Sequence, residues 1–123
     1  MKNKRLLSFI NFLYAFQGIL FLIKTERNPI IYLVVTFLVV LTGFFYHLSN
    51  IEWSIITLSI SVVWMAEALN TAIELLSDEI SEEKRERLGR AKDVAAGGVL
   101  LVAIGAVIAG ALIFLPHIAM VFQ

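Results

Sequence analysis

Cysteine is absent from the 123 residues, which excludes disulfides, thiolate metal sites and thiol catalysis. Charge is scarce. Asp, Glu, Lys and Arg make up 16% of the chain, against roughly 25% in soluble domains. The ten basic and ten acidic residues cancel, so no net field points to nucleic acid. Neither a P-loop nor a G-x-G-x-x-G is present, so any nucleotide site must be built another way. A secretory signal is also missing: the basic start (Lys2, Lys4, Arg5) leads into an apolar run without a small-residue cleavage site. The N-terminus is expected to be mature.

What is present is apolar. Hydrophobic residues reach 59% and mean hydropathy is +0.86, the composition of a membrane protein, and the length suits one domain. Residues 5–24 are apolar but interrupted by Asn11, Gln17 and Gly18. They are expected to form an interfacial helix lying on the membrane rather than a full span. Pro29 suits the first turn of a new helix. Transmembrane helices are then expected over 30–46, 52–77 and 94–115, with Pro116 ending the last. Tyr46, His47 and Trp53 flank the short turn 48–50, where aromatics suit a membrane–water boundary. The third span is rich in Ala and Gly, which lets helix backbones approach closely. The expected fold is therefore all-α, an N-terminal surface helix plus three spans in a single domain.

All ten Lys and Arg fall on one side of this arrangement, and the 46–52 turn and the tail carry none. By the positive-inside rule that side is the cytoplasm. A further span through 5–24 would put the first three basic residues outside, so the rule favours the interfacial reading.

One stretch departs from the apolar pattern. Glu67, Asn70, Thr71, Glu74 and Asp78 lie at i, i+3, i+4, i+7 and i+11, one stripe of one helix. A carboxylate in the bilayer core costs roughly 2.5–3.5 kcal/mol on insertion scales, so a packing-only role for two of them is expensive. The charged residues 78–92 read mainly as a solvated segment, the small residues of 94–111 as helix packing, and His47 and His117 as interfacial. Glu26 and Glu74, with Asn70 near, are oxygen ligands of the kind Mg²⁺ takes. Lys84, Arg85, Arg87, Arg90 and Lys92 supply charge for phosphate oxygens. Glu67 lies deepest, and desolvation there suits a general base working near neutral pH. A base at the lipid boundary beside a metal–phosphate site implies a lipid hydroxyl attacking a nucleotide phosphate.

The segments Ala66-Glu67-Ala-Leu-Asn70-Thr-Ala-Ile-Glu74-x-x-x-Asp78 and Ala91-Lys92-Asp93-Val-Ala-Ala-Gly-Gly resemble the signature of the prokaryotic diacylglycerol kinase family, including its undecaprenol kinase branch. Tyr14-Ala-Phe-Gln17-Gly18 and Glu26-Arg27-Asn28 extend the resemblance over nearly the whole chain. It implies a homotrimer in a bacterial cytoplasmic (inner) membrane, with active sites shared between subunits and facing the cytoplasm. It also implies phosphate transfer from MgATP to a lipid alcohol, undecaprenol or diacylglycerol. By the same resemblance Glu67 is the catalytic base and Glu26 and Glu74 are metal ligands supported by Asn70. Lys92 and Asp93 are nucleotide contacts, with further ones at Tyr14 and over Lys84, Arg85 and Glu86. Gln17, Tyr32, Leu7 and Ile10 depart from residues common in the family, at positions tied to the N-terminal helix's nucleotide contacts. Competing classes are a small proton-coupled multidrug transporter, which would want a glutamate near the bilayer middle, and a structural or pore-forming assembly protein. Neither calls for an acidic–basic cluster at one face.

Overall fold

The structure is a computed structural model that describes residues 3–24 and 29–123. Its described residues form four helices: α1 (Lys4–Lys24), α2 (Pro29–Phe45), α3 (Asn50–Ile80) and α4 (Glu86–Val121). The chain divides into two units, residues 1–35 and 36–123, with the boundary inside α2.

In the first unit, Asn3 caps α1: its Oδ1 accepts the Arg5 N–H at 3.2 Å, and Lys24 sits in the last turn where a cation complements the helix dipole. Leu6, Phe9, Phe12, Leu13, Phe16, Ile19 and Leu20 are all exposed, and at 100° per residue they fall within one arc of about 140°, with the exposed Leu7, Tyr14 and Phe21 outside it. An interfacial helix would carry its apolar residues along one face. At 21 residues, α1 is long and apolar enough to cross a membrane, as are α3 and α4. The 17-residue α2 is the shorter apolar helix. The stretch expected as a surface helix is α1, and the stretch expected as the first span is α2. Of the polar interruptions of α1, Asn11 and Gly18 lie within about 20° of each other around the axis, and Gln17 about 100–120° from them.

The second unit is built around a hairpin of α3 and α4. Pro29 opens α2 as its position required, and α2 ends in a Schellman motif. The Leu48 N–H donates to the Gly43 carbonyl at 3.2 Å, the His47 N–H to that of Phe44 at 3.3 Å, and His47 adopts φ 52°. Gly43 is required for close approach. A Cβ there would lie 2.6 Å from Trp53 Cη2 and 3.1 Å from Leu48 Cδ1. Ser49 then starts α3 with a capping box: its hydroxyl accepts the Glu52 N–H at 3.2 Å and its own N–H donates to Glu52 Oε2 at 2.8 Å. Leu48, Ile56 and Ile113 are buried beneath this end, with Tyr46, Trp53 and Phe114 packed against them.

Hydroxyls inside the apolar helices bond back along their own backbones, Thr42 to Leu38, Ser54 to Asn50 and Ser61 to Thr57. No side-chain polarity is thereby left facing an apolar medium at these three positions.

At the other end the helices outrun the expected spans. Over 31 and 36 residues, α3 and α4 extend about 46 and 54 Å, against a hydrocarbon thickness of about 30 Å. The charged segment expected to connect them shrinks to 81–85, because Glu86, Arg87, Arg90, Lys92 and Asp93 are already helical. Pro116 does not end the last helix but lies within it, and α4 continues to Val121. Proline removes the single bond to the Leu112 carbonyl. Past it, His117 Nε2 meets Glu52 Oε1 at 3.0 Å, which ties the continued turn to the start of α3.

Candidate functional site

The stripe on α3 appears as the spacing required, with a graded exposure. Glu67 is buried at 7% relative exposure, Asn70 and Thr71 are half-buried, and Glu74 and Asp78 are exposed. Going from Glu67 to Asp78 thus moves along one helix face from covered to open. Asn70 and Glu74, one turn apart, meet at 3.5 Å from Nδ2 to Oε1, the long limit of a hydrogen bond. The Asn70 Oδ1 is buried with no hydrogen-bond partner among the described residues. A buried acceptor without a donor is costly in a finished core, and is what a ligand or ion site leaves when considered as protein alone.

Beside the stripe, between α3 and α4, lies an apolar groove of about 280 Å³, walled by Met65, Leu69, Ile73, Gly98 and Val102 and touched by Asn70. Beyond its end a polar cleft of about 510 Å³ opens where α3 turns into α4. Asp78, Lys84, Arg85, Lys92 and Asp93 line it. Lys92 Nζ bridges to Asp78 Oδ1 at 2.7 Å, joining the last turns of α3 to the first of α4. Both side chains are substantially exposed, at 41% and 66%, so the pair adds only about 0–1 kcal/mol to stability. Its consequence is instead that an ammonium is held over the cleft on a partner it can exchange.

The sequence candidates are therefore only partly assembled. Lys84, Arg85, Lys92 and Asp93 meet in the cleft. Glu86 does not line it: the carboxylate pairs with Arg90 one turn on, at 2.7 Å. Tyr14 is exposed on α1 and belongs to the first unit. Glu26 lies outside the described residues. Asp78 belongs to the site through its Lys92 bridge and the cleft. It stood in the sequence stripe, but its neighbour across the hairpin was not visible there. Ser77, buried at 4% in the cleft wall, gave no sequence signal.

For a divalent cation, the donors present are hard oxygens: the Glu74 carboxylate and the unpartnered Asn70 carbonyl. Among the described residues no group of three or more His, Asp or Glu could hold a metal ion. This donor set fits an ion such as Mg²⁺, which takes one or two protein carboxylates and leaves its other positions to water and phosphate.

Two long helices with the length and apolarity to cross a membrane, carrying a buried carboxylate, an apolar groove and a cleft of mixed charge in succession, define a membrane protein with a polar site beside an apolar one. The chain matches the prokaryotic diacylglycerol kinase family over residues 13–114, and it belongs to that family of lipid kinases. It is 41% identical over 110 residues to an undecaprenol kinase of Bacillus subtilis, covering 89% of each chain. It is 36% identical over 108 residues to a diacylglycerol kinase of Synechocystis, covering 87% of this chain and 62% of that one. A diacylglycerol kinase of Escherichia coli is 41% identical over 59 residues, 48% of each chain. Membership in a kinase family turns the reading away from a proton-coupled transporter.

Proposed function

We propose that this protein phosphorylates a membrane lipid alcohol, undecaprenol or diacylglycerol, by direct transfer from ATP with Glu67 as the general base. The observation that carries the reading is the graded stripe of α3, a buried carboxylate leading along one face to open oxygen donors and a cleft where Lys84, Arg85 and Lys92 stand among acidic residues. In this scheme the lipid hydroxyl gives its proton to Glu67. The alcohol oxygen bonds to the γ-phosphorus as the bond to the β–γ bridging oxygen breaks, and ADP leaves. Burial keeps Glu67 away from competing water, and the apolar groove beside it admits a lipid chain. Lys92, released from Asp78, and Lys84 and Arg85 at the cleft bind phosphate oxygens by charge-assisted hydrogen bonds.

Glu74, Asn70 and Glu26 would hold Mg²⁺. When bound, the ion offsets charge on the transferring phosphate. Asp93 and Tyr14 complete the nucleotide contacts by family resemblance, as does the Lys84–Glu86 stretch. A homotrimer with shared sites is what the family resemblance implies. By the positive-inside rule, the clustering of Lys and Arg supports a site and an N-terminus on the cytoplasmic side of a bacterial inner membrane. The resemblance of Glu26-Arg27-Asn28 and Asp93-Val-Ala-Ala-Gly-Gly to the undecaprenol kinase branch favours undecaprenol.

The test is Glu67→Gln, purified in detergent. The expected result is an oligomer and melting curve like those of the unsubstituted protein, with lipid phosphorylation lower by about 100-fold or more, in the range for general-base removal. Turnover within a few-fold of the unsubstituted enzyme would remove Glu67 from the chemistry.

A further inference from the structure

The geometry points to Trp64 and Thr36 as a positioning pair that sets the rotation of α3, and with it the direction in which Glu67 is presented. This rests on the reading of Glu67 as the base.

Trp64 lies on α3 one turn before Glu67, at i and i+3, so the two side chains share a face about 4.5 Å apart along the axis. Its indole Nε1–H donates to Thr36 Oγ1 on α2 at 3.1 Å, in a half-buried position. An indole offers one donor and no acceptor. In an apolar medium that donor needs a partner. Thr36 also departs from the other hydroxyls of these helices. Thr42, Ser54 and Ser61 each donate to a carbonyl four residues back on their own helix, whereas Thr36 accepts from a neighbouring one.

The location of the bond is what gives it this role. The α2–α3 hairpin is fixed at its turn, by the Schellman motif and by the contact of Trp53 with Gly43. Trp64 is 15 residues beyond the Ser49 cap, about 22 Å from that turn. Along its length α3 packs on α4 and is bridged to it by Asp78 and Lys92. The Trp64–Thr36 bond adds a tie to its other neighbour, α2, one turn short of the base. A rotation of α3 that swings Glu67 away from a bound hydroxyl must also break it. Misplacing a reacting group by about 1 Å can cost on the order of 100-fold in rate.

Thr36→Val keeps the shape and removes the acceptor; Trp64→Phe keeps an aromatic ring and removes the donor; Thr36→Ser keeps the acceptor. The expected result with ATP and a lipid alcohol is a kcat about 10-fold lower in Thr36→Val and in Trp64→Phe. KM for both substrates stays within about 2-fold, Thr36→Ser retains kcat, and the double variant is no slower than the slower single one. A kcat unchanged in Thr36→Val, a loss that Thr36→Ser shares, or losses that multiply in the double variant would each overturn the pairing. Trp64→Phe alone could fail through packing, so Thr36→Val decides. Glu67→Gln is measured beside them. If it turns over, the base assignment fails and this inference with it. If it is inactive while Thr36→Val keeps full kcat, the base stands and only the positioning role is lost.

Discussion

The two ends of the α3–α4 hairpin use similar residues in opposite ways. At the end beside the α2–α3 turn, Glu52 is satisfied three times over, by the Ser49 N–H, by its own N–H on the Ser49 hydroxyl, and by His117. Tyr46 packs on the His117 ring at 5.7 Å between centroids, above the buried Leu48, Ile56 and Ile113. At the other end, beside the α3–α4 turn, the carboxylate of Glu74 is open and the Asn70 carbonyl has no partner among the described residues, while Lys92 holds Asp78 only at an exposed bridge. The difference separates a polar cluster that fastens the fold from one that keeps capacity for something else. Burial alone does not make the distinction; unused hydrogen-bonding capacity does.

Substitutions at the two ends should therefore separate activity from stability. The largest effect is expected for Glu74→Ala, which should raise the Mg²⁺ concentration for half-maximal rate by about 10- to 100-fold, the range seen when support for a metal site is lost. An unchanged Mg²⁺ titration would count against Glu74 as a ligand. Lys92→Met should raise KM for ATP by about 10-fold, as expected for loss of one charge-assisted hydrogen bond. An unaltered KM would leave Lys92 as a helix tie only.

At the Glu52 end the readout is melting. Gly43→Ala forces a Cβ onto the Trp53 ring, whose rigid edge cannot move aside as a flexible chain would. It should destabilise by about 1–3 kcal/mol while activity per folded molecule stays constant. A melting temperature equal to that of the unsubstituted protein would show that the ring and its helix yield. His117→Ala should lower the melting temperature by less than Gly43→Ala, again without loss of specific activity. Loss of lipid phosphorylation in folded His117→Ala would erase the separation between the two ends.

Much of this contrast can be read in the chain. The stripe from Glu67 to Asp78 follows from helical spacing alone, and Pro29 and the Ser49-x-x-Glu52 box mark helix starts with a physical mechanism. What could not be read are contacts between residues far apart in sequence. Nothing local joins Glu52 to His117, 65 positions on, or Asp78 to Lys92, or Trp64 to Thr36. Pro116 misleads for a related reason. The local rule reads it as a stop, yet one lost backbone bond is outweighed when the helix is already long and its next residue is tied across the hairpin.

The most direct measurement of the central claim is transfer of label from [γ-³²P]ATP, with Mg²⁺, in mixed micelles containing undecaprenol and diacylglycerol side by side. The account requires label in a lipid phosphate, with undecaprenol the better acceptor. Intact protein that labels neither lipid would contradict it.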